Sequence, residues 1–422
     1  MLDLKKIINN TNEYKEKLLK RNFDISVIDE LVNLGNKRSK IMTELEKLQF
    51  KRNTLSKKIG EIKSKGEDVS GILSEVSEVK NEIEIIEKEE REINSEVEKI
   101  ILNIPNIPSN DTPDGKDEKD NKIIETKDKL GRGKIIQNKN HQEIMQELDI
   151  LEVERSVKIS GTRFVSYKGV GAKLLRALKD FMLDKHISNG YIEYTPPVIV
   201  NTKSLIGTGQ LPKFSKELFK IEGTDKWLIP TAEVPLTNIY SNEIINLDKT
   251  KKITAYTHCF RSEVGSGGKD KKGIIRLHQF NKVELVKFVK PENSQKEFEK
   301  LLKDAQSILE DLELPYQTLS LCSGDIGFSA NRTIDLEVWM PSENKFKEIS
   351  SVSHFGDFQA RRSKIRFKDK QGKIKFVNTL NGSGIAIDRC IAAIIENNYN
   401  KDGTVTIPKV LIPYIKIEKI KK

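Results

Sequence analysis

Apolar residues recur every seven positions between residues 31 and 100, and this repeat constrains the fold more than any other feature of the chain. The segment SKGEDVSG (64–71), which contains two glycines, interrupts the repeat, and the same spacing resumes at Ile72 and continues to Ile100. Two helices of about 30 residues joined by so short a turn must run antiparallel, and each is then about 45 Å long or longer. The repeat therefore predicts a helical hairpin that projects as an arm. Before the turn one row comprises Leu34, Ile41, Leu48, Leu55 and Ile62, and a second, offset by four, comprises Leu31, Leu45 and Ile59.

Basic residues concentrate on the first of these helices. Ten lysines and arginines stand between residues 37 and 65 against three glutamates, whereas the second helix is mostly glutamate. One interpretation is that the two helices form ion pairs along the edges of the coil. The other is that the basic face also contacts RNA phosphates, and both interpretations stay open. Arg38 and Arg52 fall on the second apolar row, so the seam between the helices is imperfect there.

The net charge, the cysteines and the hydropathy limit the classes of protein to which the chain can belong. The net charge of +10 favours a polyanionic partner. The three cysteines, Cys259, Cys322 and Cys390, lie far apart, which predicts neither a disulfide framework nor a zinc site and indicates a reducing compartment. The first ten residues lack the apolar stretch of a signal peptide, and no apolar run reaches about 18 residues. We therefore expect a cytoplasmic protein without a membrane segment.

Prolines and polar residues without any period follow Leu102, as is typical of a linker. We predict three parts: a helical arm over 1–105, a linker over 106–140 and a catalytic domain over 141–422.

Short β-rich runs alternate with a few helical segments in the third part, and short turns between adjacent runs favour an antiparallel sheet. Neither the GxGxxG nor the GxxxxGK[ST] phosphate-binding motif is present. The predicted fold class is α+β, with an antiparallel two-helix coiled-coil arm and an antiparallel sheet flanked by helices. Strands are predicted within 191–200, 252–263, 273–289, 332–341 and 375–382, and helices over 172–186 and 294–312.

The hairpin FRSEVGSGGKDKKGIIRLHQF (260–280) carries the side chains that a nucleotide needs. Alternate residues of a strand share a face, so we expect Arg261 and Glu263 together on one strand, and Arg276, His278, Phe280 and Glu284 together on the next. A guanidinium suits phosphate, a carboxylate suits an amine, and an aromatic ring stacks on a base. For such a hairpin taken alone, a charged solvent-facing surface is the alternative.

Several long motifs in order resemble those of the seryl-tRNA synthetases of the bacterial and eukaryotic type, which are class II aminoacyl-tRNA synthetases. The resemblance covers nearly the whole chain, including the N-terminal hairpin, which in that family holds the long variable arm of tRNA(Ser). It is carried by PTAEVPLTN (230–238), the hairpin and the strand that follows it, DLEVWMP (335–341), EISS (348–351), DFQARR (357–362) and TLNGSGIAIDR (379–389).

The resemblance implies an ATP site. Arg261 would bridge the serine carboxylate and the α-phosphate, and Arg389 would pack on the nucleotide and contact the γ-phosphate, which makes these two the implied catalytic residues. Ser262 is implied at the same site. The remaining implied roles are the adenine amine for Glu263, stacking on adenine for Phe280, and Mg²⁺ for Glu348 and Ser351.

The resemblance also implies a serine pocket beside Arg261. Thr231 and Glu233, expected on one strand face, match the residues around the α-ammonium, while Glu284 and Ser383 match the pocket for the hydroxyl. A pocket that hydrogen-bonds a hydroxyl rejects alanine strongly because its own polar groups would be left unpaired. Threonine and glycine must be excluded mainly by size and fit.

The implied activity is that of a serine-tRNA ligase, which activates L-serine with ATP and transfers the seryl group to the 3′ end of tRNA(Ser). A homodimer is implied too, and the use of tRNA(Sec) stays open. A synthetase of another specificity, a relative that loads a carrier protein, and a coiled-coil binding protein with an inactive catalytic domain are the alternatives. The chain departs from the usual family sequence at Val352, His354, Asp388, Asn331 and Arg332, which concerns the surroundings of the nucleotide.

Overall fold

The structure is a computed structural model that describes residues 1–264 and 273–422. These residues form two compact units, Leu2–Pro105 and Asn106–Lys422, and Met1 belongs to the second. The glycine- and lysine-rich segment 265–272 of the predicted hairpin lies outside the described residues. In the part of the chain that the structure describes, every helix is too short or too polar to cross a membrane.

The first unit contains the two long helices that the heptad repeat predicts. Two short helices precede them, which the sequence analysis did not predict. Helix α1 lies close against α3 at Gly35, where an added Cβ atom would come within 2.7 Å of Ile8. Ile7, Leu18, Ile28 and Leu31 are fully buried, so the short helices cover the base of the hairpin. The helices are α1 (Leu4–Asn9), α2 (Thr11–Leu19), α3 (Ser26–Ser64) and α4 (Ser70–Ile101).

Helices α3 and α4 pack through the predicted apolar rows, with Leu55 buried against Val79 and Ile83. Arg38, one of the two interruptions, donates from Nε to the Asn94 side-chain oxygen of α4. Lys51 forms an ion pair of 3.0 Å with Glu75. Among the described residues, Lys51 is the one member of the ten basic residues between 37 and 65 that forms an ion pair with α4. Interhelical pairing therefore explains little of the basic surface.

The second unit mixes helices with mostly short strands, as predicted. Its helices are α5 (His141–Glu147), α6 (Glu154–Ser160), α7 (Val170–Ser188), α8 (Thr202–Thr208), α9 (Glu233–Asn238), α10 (Ser294–Asp311), α11 (Phe358–Ser363), α12 (Ile387–Asn397) and α13 (Ile412–Ile415). Its strands are β1 (Lys122–Lys127), β2 (Leu151–Glu152), β3 (Ser166–Tyr167), β4 (Ile192–Glu193), β5 (Ile199–Asn201), β6 (Lys220–Ile221), β7 (Lys226–Leu228), β8 (Ile244–Ile245), β9 (Lys251–Phe260), β10 (Gln279–Val289), β11 (Tyr316–Ser320), β12 (Arg332–Met340), β13 (Lys345–His354), β14 (Arg366–Lys368), β15 (Ile374–Phe376), β16 (Asn378–Ala386), β17 (Val405–Thr406) and β18 (Lys419–Ile420).

An eight-stranded sheet in the order β1-β11-β12-β13-β16-β10-β9-β4 forms the centre of this unit. All its neighbouring strands are antiparallel except β4 and β9, which confirms the predicted sheet type. The remaining strands form smaller sheets of two or three strands. Short β4 is the edge strand at one end, and the other end is β1.

Strand β10 shows how the sheet exposes polar side chains on one face. Val283 and Leu285 point into the core formed with helices α7, α10 and α12. Val286 and Phe288, of the opposite parity, pack with residues of α9 and α11. Lys282 and Glu284 share that second parity but precede the region that α9 covers, and they line a cavity instead. The alternation of side chains along β10 thus places apolar residues in the core and also points Lys282 and Glu284 into a cavity.

Two predictions about strands are wrong: one concerns a strand at Thr231 and Glu233, and the other the ends of the strands of the hairpin. Thr231 and Glu233 do not share a strand: Thr231 lies in a turn, and Glu233 is the first residue of α9. The Glu233 N–H donates to Thr231 Oγ1 at 3.2 Å, a local bond that favours a turn at the start of a helix. Strand β9 ends at Phe260 and β10 begins at Gln279. Pairing extends one step further, from the Arg261 N–H to the His278 carbonyl, and then ends because Glu263 adopts a left-handed φ of 50°.

The segment 106–140 was expected as a linker, and the structure places β1 within it. Strand β1 pairs antiparallel with β11, and the Asn106 N–H donates to the Phe328 carbonyl at 2.9 Å. The side chains of β1 are mostly exposed, so its sequence lacks the alternation that marks a half-buried strand. Backbone pairing at a sheet edge needs no such alternation.

Candidate active site

A cavity of about 410 Å³ opens over the face of the sheet that carries Lys282 and Glu284. Strands β10, β13 and β16 supply its floor, and the turn before α9 supplies one wall. Charged and hydroxyl side chains dominate the floor, whereas Phe214, Leu218 and Phe328 contribute an apolar side. Of the residues predicted for the site, it is lined by Thr231, Glu233, Arg261, Glu284, Glu348, Ser351 and Ser383.

The Glu284 carboxylate is fully buried at the bottom of this cavity. Its Oε1 accepts from the Asn381 side chain at 2.9 Å. Its Oε2 accepts from Thr231 Oγ1 at 2.9 Å and forms an ion pair with Lys282. Ser383 stands directly opposite Glu284 in the pairing of β10 with β16. Three side chains, from β16, from the turn before α9 and from β10 itself, therefore fix this carboxylate in place.

The Glu233 carboxylate lies in the same cavity and is also buried. Its Oε1 accepts from the Gln359 side chain at 2.6 Å. Burial, followed by the negative charge of Glu284, raises the pKa of Glu233 to about 7. Arg261 and Lys282 oppose that rise because their positive charges favour the ionised form of Glu233. The pocket thus contains one carboxyl group that titrates close to neutral pH.

A second cavity, of about 70 Å³, adjoins the first. Arg261, Lys282, Glu348 and Ser383 line both, so these side chains stand where the two meet. The Arg261 guanidinium lies 5.2 Å from the centre of the Phe280 ring, and its Nε donates to the Pro230 carbonyl at 3.3 Å. A cation is thereby placed between a polar pocket and an aromatic one.

Glu263, Phe280 and Arg389 of the predicted site line the second cavity. Glu263 accepts from Arg276 Nη1 at 3.0 Å. Arg389, at the start of α12, donates from Nε to the Ile275 carbonyl at 3.2 Å. These contacts hold the residues that follow the hairpin loop against the helix that carries Arg389. The lining of the second cavity combines an aromatic face at Phe280 with arginines, side chains that suit a flat ring and anionic groups.

Glu348 and Ser351 lie three residues apart on β13, and both line the first cavity. Arg389 donates to the Glu348 carbonyl at 2.6 Å and its guanidinium lies 3.4 Å from the Glu348 carboxylate. The positive charge of Arg389 lowers the pKa of Glu348. Ser351 stands opposite Asp335 on β12 and forms a hydrogen bond with it. Burial, and then the charge of Glu348, raise the pKa of Asp335 well above its usual range.

One predicted site residue lies apart from the others. Ser262 is outside the linings of both cavities as far as the structure describes them, and its hydroxyl donates to the Lys216 carbonyl at 2.8 Å. Three partners of the pocket carboxylates were not predicted: Lys282 and Asn381, which contact Glu284, and Gln359, which contacts Glu233. Lys282 alternates with Phe280 and Glu284 along β10, so the parity rule that selected those two would also have selected the lysine. Gln359 lies on α11 and carries no such local signal.

Two of the departures from the usual family sequence contact each other. The Nδ1 atom of His354 lies 2.8 Å from the Asn331 side-chain oxygen, and burial followed by Arg332 lowers the pKa of His354 to about 4. Val352 is buried in the core. Asp388 accepts from the Tyr167 hydroxyl at 2.6 Å and from Asn281. The altered residues therefore have partners in the surrounding structure.

Comparison with known proteins agrees with the geometry. Residues 1–108 match the model of the seryl-tRNA synthetase N-terminal domain, and residues 217–398 match the tRNA synthetase class II core domain (G, H, P, S and T). A serine-tRNA ligase of Mycoplasma mobile is 52% identical over 421 residues, which span 100% of both chains. The chain belongs to the seryl-tRNA synthetase family. A serine-tRNA ligase of Clostridium botulinum (strain 657 / Type Ba4) is 56% identical over 98% of each chain.

Solved structures of this family have the same fold. A seryl-tRNA synthetase from Pyrococcus horikoshii, solved as a complex with ATP, superimposes with a TM-score of 0.92. It is 35% identical, and the match covers 100% of this chain and 99% of that one. The similarity thus includes both the helical hairpin and the sheet domain of a seryl-tRNA synthetase.

Proposed function

We propose that the protein activates L-serine with ATP to form seryl-adenylate and transfers the seryl group to the 3′ end of tRNA(Ser). The observation that carries this proposal is the pair of adjoining cavities with Arg261 between them. One is a polar pocket with two buried carboxyl groups, as an amino acid with a hydroxyl requires. The other combines Phe280 with Arg389, as a nucleotide requires. The named relatives support the same substrates.

In this proposal the amino acid lies in the first cavity, with its ammonium towards Glu233 and its hydroxyl towards Glu284 and Ser383. ATP lies with its adenine on Phe280 and near Glu263. Arg261 then contacts both the serine carboxylate and the α-phosphate, which lines up the carboxylate oxygen for attack on phosphorus. The new bond joins that oxygen to the α-phosphorus, the bond to the β-phosphate oxygen breaks, and pyrophosphate leaves. Arg261 stabilises the negative charge that accumulates.

The side chains beside Arg389 also suit Mg²⁺. Magnesium prefers hard oxygen ligands, and it uses one or two carboxylates together with substrate phosphates. Glu348 presents an exposed carboxylate on the cavity wall, and Ser351 adds a hydroxyl beside it. Within 1–264 and 273–422, groups of three or more His, Cys, Asp and Glu side chains suited to a metal are absent, which agrees with a metal held mostly by phosphates and water. Glu348 and Ser351 would hold the ion, and Mg²⁺ supplies neutralisation of phosphate charge when bound.

In the second half-reaction the terminal ribose hydroxyl of the tRNA attacks the seryl carbonyl carbon, and AMP leaves. The basic surface of α3 and of the residue that follows it supports binding of the tRNA by the first unit, since nine of the ten basic residues between 37 and 65 have no ion pair with α4 among the described residues. We also propose a homodimer, and a cytoplasmic location, which suits three buried free cysteines. We further propose tRNA(Sec) as a second acceptor of the seryl group.

ATP-pyrophosphate exchange with serine, threonine, alanine and glycine tests the first half-reaction. We expect exchange with serine alone, and exchange with another amino acid only would contradict the assigned specificity. A protein that lacks residues 31–100 should retain this exchange and lose charging of tRNA(Ser). Equal charging by the shortened protein would refute the role of the arm, and absence of exchange with every amino acid would favour a binding protein.

A further inference from the structure

Lys282 is a buried lysine on the floor shared by the two cavities. Only 9% of its side chain is exposed, and its neighbours on the same strand face are Phe280 and Glu284. Its Nζ donates to Thr231 Oγ1 at 2.9 Å and forms an ion pair with Glu284 Oε2. An ammonium group in so enclosed a position is costly unless it is paired, so both partners are needed to keep it there.

We propose that Lys282 is a positioning and specificity-determining residue, which holds Glu284 and Thr231 in the one arrangement that receives the hydroxyl of serine. This inference rests on the proposed function, because it assigns a role within the amino acid pocket of that reaction. Lys282 acts through Glu284 and not by contact with the reacting phosphate.

The hydrogen bonds of Glu284 leave room for a single additional donor. An ionised carboxylate offers about four acceptor positions. Asn381, Thr231 and Lys282 fill three of them, one on Oε1 and two on Oε2. The position that remains on Oε1 can accept one O–H group, and an ionised carboxylate has no proton to donate. With three of its acceptor positions filled, Glu284 therefore recognises the hydroxyl of serine through the fourth. When alanine binds, this fourth position on Oε1 has no donor.

The hydroxyl of Thr231 has no capacity left for a substrate. It donates its proton to Glu284, and it accepts from Lys282 Nζ and from the Glu233 N–H. A hydroxyl has one donor and two acceptor positions, so all three are used. Thr231 thus serves as the link between Lys282 and Glu284, and the contact to the ammonium of serine falls to Glu233.

The charge of Lys282 matters as well as its hydrogen bonds. Two buried carboxyl groups, Glu233 and Glu284, face the same pocket, and Lys282 and Arg261 are the cations beside them. A buried carboxylate that loses its cation generally binds a proton. A protonated carboxyl group can donate as well as accept, so it no longer distinguishes a hydroxyl by its proton.

Lys282→Met tests the proposal, because methionine keeps most of the volume and removes the ammonium. Lys287→Met is a matched control: Lys287 is a fully buried lysine on the same strand, paired with Glu297 and Asp304 outside both cavities. In ATP-pyrophosphate exchange we expect Lys282→Met to raise the KM for serine about tenfold to a hundredfold, the effect of losing charged hydrogen bonds. Its KM for ATP should stay within about twofold of the unaltered protein, and its preference for serine over alanine should fall. Lys287→Met should leave the serine KM and this preference unchanged.

Two further measurements separate positioning from a general loss of structure. Combining Lys282→Met with Glu284→Gln should give less than the product of the two single effects on the serine KM, since both act on one contact. The pH at which serine binding improves should also move upward in Lys282→Met. The groups that face Glu233 are Glu284, Gln359, Lys282 and Arg261, and Lys282 lowers the pKa of Glu233. Lys287→Met should not move this pH.

A fall in kcat with an unchanged serine KM would overturn the inference, because Lys282 would then act at the reacting phosphate. Multiplicative effects in the double variant would overturn it as well. If Lys282→Met does not fold, Thr231→Val keeps the lysine and removes the link, and an unchanged serine KM in that variant would refute the arrangement. Absence of serine-dependent exchange in the unaltered protein would instead refute the proposed function.

Discussion

Binding of serine should improve as the pH rises from 6 to 8, because Glu233 must be ionised to pair with the substrate ammonium. Burial and the nearby Glu284 raise the pKa of Glu233 to about 7 in the free protein. A neutral carboxyl group offers the ammonium far less than a carboxylate does. Bound serine then stabilises the ionised form, so the pKa of Glu233 falls in the complex.

The size of the effect follows from the titration. With a pKa of about 7, the ionised fraction of Glu233 is about 9% at pH 6 and about 91% at pH 8. If only the ionised form binds serine, the apparent KM for serine is inversely proportional to that fraction. The KM should therefore fall about tenfold between these two pH values, and it should change little above pH 8 until other groups titrate.

Serine titrations in ATP-pyrophosphate exchange at constant ionic strength measure this change, and Glu233→Gln supplies the control. Glutamine keeps the shape of the side chain and an oxygen for Gln359, which donates to Glu233 Oε1. The variant should have a high serine KM that varies little with pH. A flat serine KM in the unaltered protein would refute the pairing of Glu233 with the ammonium. An equally steep pH dependence in Glu233→Gln would assign the titration to another group.

The raised pKa of Glu233 also makes the free energy of unfolding depend on pH, and this free energy falls over the pH range in which serine binding improves. The pKa of Glu233 is higher in the folded protein than in the unfolded chain, so the folded state retains this proton to higher pH. The contribution of Glu233 to the free energy of unfolding is complete below the unfolded pKa and is lost as the pH rises through about 7. Thermal unfolding of Glu233→Gln should show a weaker loss of stability across that window than the unaltered protein does.

Three other substitutions test the rest of the site. Arg261→Ala should abolish serine-dependent exchange in a folded protein, and near-normal exchange would remove its central role. Phe280→Leu should raise the KM for ATP about tenfold, because stacking of a base on an aromatic ring contributes about 1–3 kcal/mol, while the serine KM stays unchanged. An unaltered ATP KM would place the base elsewhere. Glu348→Gln should raise the Mg²⁺ concentration needed for half-maximal exchange, and a Mg²⁺ requirement equal to that of the unaltered protein would contradict its role.

Periodic features of the fold could be predicted from the sequence because each follows from local geometry. The heptad rows predict α3 and α4 and the turn between them, since a seven-residue apolar repeat suits one face of a coil. Alternation along β10 predicts that Phe280 and Glu284 share a face. The short helices α1 and α2 have too few turns for a clear period and depend on packing against α3.

Contacts between distant segments could not be predicted in this way. Thr231 lies in a turn and Glu233 at the start of a helix because the Glu233 N–H donates to the Thr231 hydroxyl. The alternation rule for strands takes no account of such a bond between a side chain and the backbone. The near-neutral pKa of Glu233 depends on its burial beside Glu284, and that proximity exists only after the sheet has formed. Gln359 reaches Glu233 from α11, which no repeat in the sequence connects to α9.

The polar contact between Arg38 and Asn94 sets a fixed alignment for the two long helices. An apolar repeat of seven allows one helix to slide past the other by a whole repeat at little cost in contact area. Such a slip would replace Asn94, opposite Arg38, with Glu87 in one direction and with Ile101 in the other, and the bond to Asn94 would be lost. The Arg38–Asn94 bond therefore marks one alignment of the two helices. Paired insertions of seven residues, one in each helix beyond this bond, would lengthen the hairpin and keep the bond. An insertion in one helix alone would misalign the apolar rows of the two helices.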